Sequence, residues 1–234
     1  WQAESQMGAE YLLELAVRAG SQRLPVGENL PLGRADHPTS TWTPGEVVRS
    51  LHELRLPAST PAGAYSVEAI VLDSWGQPAS SAIAVTAGEL ISVERLWAVP
   101  DEVQAVDANL DGQVTLLGYQ ASTQDSETRV TLYWQALREM PVSYKVFVQW
   151  IGAGGALAQD DTVPGGWQRP TTGWVPGEVV ADPHTLVLPE PLAPGEYTLI
   201  AGLYDEDTLQ RLPLLDASGA AIGDHVVLER WVVE

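Results

Sequence analysis

Four groups of residues in this 234-residue chain are of types that do chemistry: paired acidic residues, two histidines in matching contexts, an Asp/Asn-rich loop and nine tryptophans. Asp160 with Asp161, and the cluster Asp205-Glu206-Asp207, have the composition of a general acid and base for glycoside hydrolysis. Adjacent residues on a strand point to opposite faces, so Asp160 and Asp161 do not address one substrate. The 205–207 cluster reads as a solubilising hairpin turn. His52 and His184 each open the pattern His-x-Leu-x-Leu-Pro, but no carboxylate at useful spacing accompanies both. They read as structural, because a metal site or catalytic dyad needs partners. Asp107-Ala108-Asn109-Leu110-Asp111-Gly112 has the opening spacing of a calcium loop, with Asp107, Asn109 and Asp111 as the candidate ligands. Position 12 of that loop is Gly118 where a bidentate glutamate belongs, so a polar turn before a strand is the better reading. No Gly-x-Ser-x-Gly, phosphate loop, dinucleotide fingerprint or His-Glu-x-x-His occurs. The chain reads as no enzyme, and no cofactor is expected.

Tryptophan stands out, with nine against a single phenylalanine. A flat indole stacks well on a sugar face. Trp1, Trp42, Trp134 and Trp174 recur in matched positions and read as core, and Trp150 alternates onto an inner strand face. Trp75, at a hairpin tip, and Trp167, in the Pro/Gly-rich loop from Pro164 to Pro170, are the candidate exposed platforms. Arg169, beside Trp167, is the candidate hydrogen-bonding partner for the same ligand.

The elements that must position these residues come from a repeat. Trp42-Thr43-Pro44-Gly45-Glu46-Val47-Val48 returns as Trp174-Val175-Pro176-Gly177-Glu178-Val179-Val180. From Trp42 to Asp73 against Trp174 to Asp205, 14 of 32 positions are identical without a gap. Trp1-Gln2-Ala3 matches Trp134-Gln135-Ala136, and Glu94-Arg95 matches Glu229-Arg230. A period near 133 is that of whole domains rather than solenoid units. The hydrophobic period within each copy is two: Tyr144, Val146, Val148 and Trp150 share a face, as do Tyr11, Leu13, Leu15 and Val17. Seventeen prolines and 21 glycines punctuate such runs.

The expected fold is all-β, with two tandem immunoglobulin-like antiparallel β-sandwich domains. Residues 1–97 form the first, lacking its N-terminal strand or strands, and 98–234 the complete second. Strands are expected near 112–121, 128–137, 143–151, 156–161, 178–188, 195–204, 209–215 and 224–233, with a turn of helix between Pro100 and Ala108. Pro194-Gly195-Glu196-Tyr197, like Pro61-Ala62-Gly63-Ala64-Tyr65, reads as a tyrosine corner. Because Trp1 matches a residue late in a strand, the chain reads as a piece of a longer polypeptide. Another chain or an upstream segment is then expected to fill a groove over Tyr11, Leu13 and Leu15 by strand addition.

Composition narrows the partners. Thirty-one acidic against 12 basic residues give a formal charge of -19, which disfavours nucleic acid and anionic membrane surfaces. Residues 1–97 carry -5 of this and 98–234 carry -14. No cysteine is present, so there is no disulfide, thiolate metal site or cysteine nucleophile. No apolar run reaches the ~18 residues of a membrane span. A carbohydrate, or a protein chain completing the first sandwich, remains as the expected partner.

Several of these segments together resemble a known kind of domain. They are Val130 to Leu137 with its Trp134-Gln135-Ala136, Tyr144-Lys145-Val146-Phe147-Val148, the Trp174 to Val180 motif, Pro194 to Tyr197, and Gly202-Leu203-Tyr204-Asp205. The run Asn109 to Tyr119, with Leu116-Leu117-Gly118-Tyr119, fits a first strand of the same pattern. The chain is similar to β-sandwich domains at the C-termini of large bacterial membrane proteins, notably glycosyltransferases of the dolichyl-phosphate-mannose mannosyltransferase type. The resemblance covers 107–234 and, less fully, 1–97. It implies an extracytoplasmic, non-catalytic domain of a larger membrane-associated protein, with transferase chemistry belonging to a membrane portion elsewhere.

Overall fold

The structure is a computed structural model that describes every residue from Trp1 to Glu234. It is all-β with antiparallel sheets, and it divides into two compact units, Trp1–Val93 and Glu94–Glu234. No helix is long and apolar enough to cross a membrane.

The first unit is built on one four-stranded sheet. Its strands are β1 (Leu12–Ala19), β2 (Gln22–Pro31), β3 (Gly63–Leu72) and β4 (Ile83–Leu90), in the order β2-β1-β3-β4. Gly20, at φ 58°, opens the two-residue turn between β1 and β2. Leu13, Leu15 and Val17 alternate onto the inner face and are buried. The groove expected over that face is filled by the unit itself: Ala3, Leu32, Trp42 and Val48 pack there with Leu13, Leu15 and Ala69. The duplicated Trp-x-Pro-Gly-Glu turn supplies the cover, because Gln2 bridges Val47 and holds Trp42 over the sheet.

The second unit is a two-layer sandwich. One sheet has six strands, ordered β10 (Val179–Val187), β7 (Glu127–Ala136), β6 (Val114–Gln124), β5 (Gln104–Leu110), β12 (Leu214–Leu215) and β13 (Ala221–Gly223). The other is β14 (Val226–Val233), β11 (Gly195–Asp205), β8 (Tyr144–Gly152) and β9 (Gly155–Thr162). The core lies between them, with Leu116, Leu132 and Trp134 from the first sheet meeting Val146, Trp150, Leu199 and Leu203 from the second. Tyr197 hydroxyl donates to the Ala193 carbonyl at 2.5 Å, the bond that defines a tyrosine corner.

Three expectations need correction. The segment expected to turn helically from Pro100 to Ala108 contains β5, which pairs with β6 from Gln104↔Tyr119 to Leu110↔Val114 across a bulge. Val106 and Ala108 pack against the core and Leu110 is fully buried, and that burial outweighs any local helical tendency. The strand expected over 209–215 shrinks to Leu214–Leu215, because residues 205–210 form a turn and Arg211 pairs back with Tyr204 only as an isolated bridge. Finally, Glu94-Arg95 is not the spatial counterpart of Glu229-Arg230. Glu229 pairs with Leu199, whose first-copy equivalent Val67 pairs with Thr86.

The repeat is structural in detail. In both units the glutamate of the Trp-x-Pro-Gly-Glu turn accepts the backbone N–H three residues earlier: Glu46 from Thr43 at 2.9 Å, Glu178 from Val175 at 3.0 Å. Trp42 and Trp174 donate their indole N–H to the carbonyls of His37 and Arg169. Thr39 and Thr171 hydroxyls accept from the N–H of Tyr11 and Tyr144, both at 2.9 Å. Identity between the copies therefore marks a shared set of hydrogen bonds that seats the turn and its tryptophan in the core.

Candidate functional site

The sequence-nominated residues fall in different places. Trp75 sits in the β3–β4 turn, where Asp73 carboxylate accepts the N–H groups of Trp75 and Gln77, and it is 84% exposed. Trp167 is 59% exposed and belongs to the second unit. Arg169 does not share the exposed face with Trp167. Its guanidinium is bound to the fully buried carboxyl of Glu178, which also receives Arg95. A buried carboxylate needs that pairing, so Arg169 is committed to the fold. Asp107 lies at the β5 bulge with φ 58°. Asn109 accepts the Gly112 N–H at 2.8 Å and Asp111 accepts from the Gln113 amide at 2.9 Å, so both oxygens serve the β5–β6 turn. No group of three or more His, Asp or Glu side chains gathers as a metal site does.

Trp167 is held in place from several directions. Its N–H reaches the Val163 carbonyl at 2.9 Å, Arg169 N–H reaches Pro164 at 2.9 Å, and Gly165 N–H reaches the Asp182 carboxyl at 2.8 Å. Trp167 itself has φ 72°, a left-handed conformation that costs a non-glycine residue on the order of 1 kcal/mol. Strain of this kind persists where surroundings over-determine it, commonly at ligand clamps. Lys145 ammonium lies 5.2 Å from the indole centroid.

Behind that loop is a buried ionic cluster that the sequence reading missed. His184 contacts Asp182 at 2.9 Å and Asp160 at 3.0 Å, while Trp134 indole N–H donates to Asp182 at 3.2 Å. Burial works against the imidazolium, but hydrogen bonds to Asp160 and Asp182 prevail and push its pKa up to about 9. The hydrogen bond to His184 likewise lowers Asp160, against the opposing effect of burial. Asp160 is on β9 and Asp182 on β10, so the cluster joins the edge strands of the two sheets and anchors the Trp167 loop through Gly165. The first unit has Ser50 where Asp182 would be, and there the buried Nε2 of His52 has no hydrogen-bond partner. Asp182-x-His184 was a visible signal, since residues two apart share a strand face. Asp160 was not visible, because it comes from the opposite sheet.

A cleft of about 210 Å³ lies on the outer face of the β14-β11-β8-β9 sheet, lined by Phe147, Gln149, Asp161, Tyr204, Leu209 and Arg211. Strand register brings these together. Phe147 is opposite Asp161 on one side and Gly202 on the other, and Lys145 is opposite Tyr204. Gly202 is required here: a Cβ would stand 2.5 Å from the Phe147 ring, which lies over it. Arg211 guanidinium stacks 4.0 Å from the centroid of Phe147. Its polar contacts are long, 3.4 Å to Gln149 and 3.6 Å to Asp224. Asp161 Oδ1 is buried with no hydrogen-bond partner. Burial raises the Asp161 carboxyl, partly offset by the Tyr204 hydroxyl. A buried acceptor left unmade costs about 1–3 kcal/mol, so this oxygen is a strained feature of the site.

No family model matches the chain, and no curated protein is similar to it.

Proposed function

We propose that the chain is a non-catalytic, extracytoplasmic module that binds carbohydrate through the second of its two units, an immunoglobulin-like β-sandwich. The observation that carries this reading is Trp167, an exposed indole fixed in a left-handed turn and in contact with Lys145, which stands opposite Tyr204 of a polar cleft. Sugar rings present one apolar face and a belt of hydroxyls. A rigid indole beside convergent polar side chains matches both at low entropic cost. Trp75 is a second platform, exposed but without a neighbouring cleft, and it adds avidity rather than specificity. The resemblance to C-terminal domains of membrane glycosyltransferases agrees with a role in positioning a glycan outside the cytoplasm, within a larger membrane-associated protein.

A glycan array probed with the chain, Trp167→Ala and Trp75→Ala tests the reading. Binding that disappears with Trp167→Ala and persists with Trp75→Ala is expected. Absence of binding to every glycan removes the proposal.

The open edge of the first sheet favours a second reading, that of a structural spacer or subunit of a surface assembly. Strand β4 is terminal in its sheet, with Ile83 49% and Val85 60% exposed. Such an edge accepts another strand. Light scattering across concentration tests it: self-association abolished by Val85→Lys supports strand pairing, and a monomer at all concentrations excludes pairing with a second copy.

A further inference from the structure

Taking the carbohydrate reading as its basis, we infer that the cleft formed by Asp161, Tyr204, Arg211 and Gln149 is the polar subsite for a single neutral pyranose, and that Trp167 stacks on the sugar unit next to it. The cleft combines a buried carboxylate oxygen without a partner with an arginine whose polar contacts are long. Asp161 Oδ1 is buried and unpartnered. Arg211 holds its neighbours only at 3.4 Å and 3.6 Å. A hydroxyl donates one hydrogen bond and accepts others. Two adjacent ring hydroxyls therefore match the site, one donating to the Asp161 carboxylate and its neighbour accepting from Arg211. The Tyr204 phenol and Gln149 amide serve either polarity.

Charge sets the ligand class. Around the cleft, Lys145 and Arg211 face Asp161, Glu206 and Asp224; Lys145 is hydrogen-bonded to Glu206, while Arg211 has Asp224 only at 3.6 Å. The local balance is negative by one, in a unit that is itself strongly acidic. Uronic acids, sialic acids and phosphorylated sugars are disfavoured there, whereas neutral hexopyranosides are not. Phe147 is covered by Arg211, so the cleft floor is a guanidinium face rather than a bare ring. Stacking therefore falls to Trp167. Lys145 ties the two parts together, contacting the Trp167 indole while standing opposite Tyr204 on the adjacent strand, one spacing of ~4.8 Å away. That proximity fits neighbouring units of one glycan chain.

The test uses the full chain and four probes: methyl α-mannopyranoside, methyl β-glucopyranoside, methyl β-galactopyranoside and methyl glucuronide. Amide shifts in the wild-type protein on titration are expected at Asp161, Gly202 and Tyr204 for at least one neutral glycoside, which needs no variant to fold. Asp161→Asn and Arg211→Ala are then expected to weaken that glycoside at least tenfold, with unchanged near-ultraviolet circular dichroism. Shifts confined to other residues, or wild-type affinity in both variants, overturn the subsite and leave the carbohydrate reading standing. So does a chain that binds arrayed glycans but none of the glycosides. Tighter binding of the glucuronide than of the neutral glucoside overturns the assignment of ligand charge. Only a chain that binds neither glycosides nor any arrayed glycan brings down both.

Discussion

At the scale of single residues, the buried ionisable groups carry more of the fold than their number suggests. His184 has a folded pKa of about 9, above its unfolded value near 6.5. Its contribution is therefore fully present below pH 6.5 and is lost as pH rises through about 9. The size is on the order of 3 kcal/mol. Urea unfolding between pH 6 and 10 is expected to show this decline in the wild type and a flatter profile in His184→Gln. A decline of equal steepness in the variant would assign the effect to other groups. Glu178 gives a second residue-level expectation. It is fully buried and serves Arg169, Arg95 and the Val175 N–H, so Glu178→Ala should destabilise the second unit by about 3 kcal/mol. The same change at Glu46, whose partner is the half-exposed His37, should cost the first unit visibly less in the same assay.

At the scale of elements, the outer face of β8, β9 and β11 is organised by one missing side chain. Gly202 lets Phe147 lie across β11, and Phe147 in turn seats Arg211. Gly202→Ala is expected to displace the ring, cost about 1–3 kcal/mol, and weaken glycan binding even though position 202 presents no polar group. Affinity equal to wild type in a folded Gly202→Ala protein would show that Arg211 is placed independently of Phe147. The β8 and β11 patterns were legible because alternation over Tyr144 to Trp150 and Tyr197 to Ala201 is regular. Strand β5 was not, since its alternation is interrupted by the bulge at Asp107 and its pairing partner lies beyond a tight turn.

At the scale of the whole molecule, the two units differ in how they bury apolar surface. The second encloses its core between two sheets, and every member of that core lies within Glu94–Glu234. Residues 94–234 alone should therefore unfold cooperatively, with dispersed amide shifts. A non-cooperative melt would show that the core depends on the first unit. The first unit covers its sheet with the 1–3 and 42–48 segments rather than a second sheet, so the lower-temperature thermal transition should belong to it. Tryptophan fluorescence of Trp42→Phe against Trp174→Phe identifies which unit melts first.

The duplicated register, the period of two and the acid excess were set by the sequence alone. Each is a local or compositional property: alternation fixes which face of a strand is buried, and identity at a fixed offset fixes the repeat. From these came the all-β fold and Trp75 and Trp167 as exposed indoles. Tertiary structure alone decided the roles of Arg169, His184 and Asp161. Arg169 stands two residues from Trp167, yet its carboxyl partner is drawn across a turn into the interior. Asp160 and Asp161 are neighbours that part company, one reaching His184 on the other sheet and the other opening onto the outer cleft. Charge pairing and cleft geometry depend on which strands become neighbours, and that is settled by packing two sheets against one core, not by spacing along the chain.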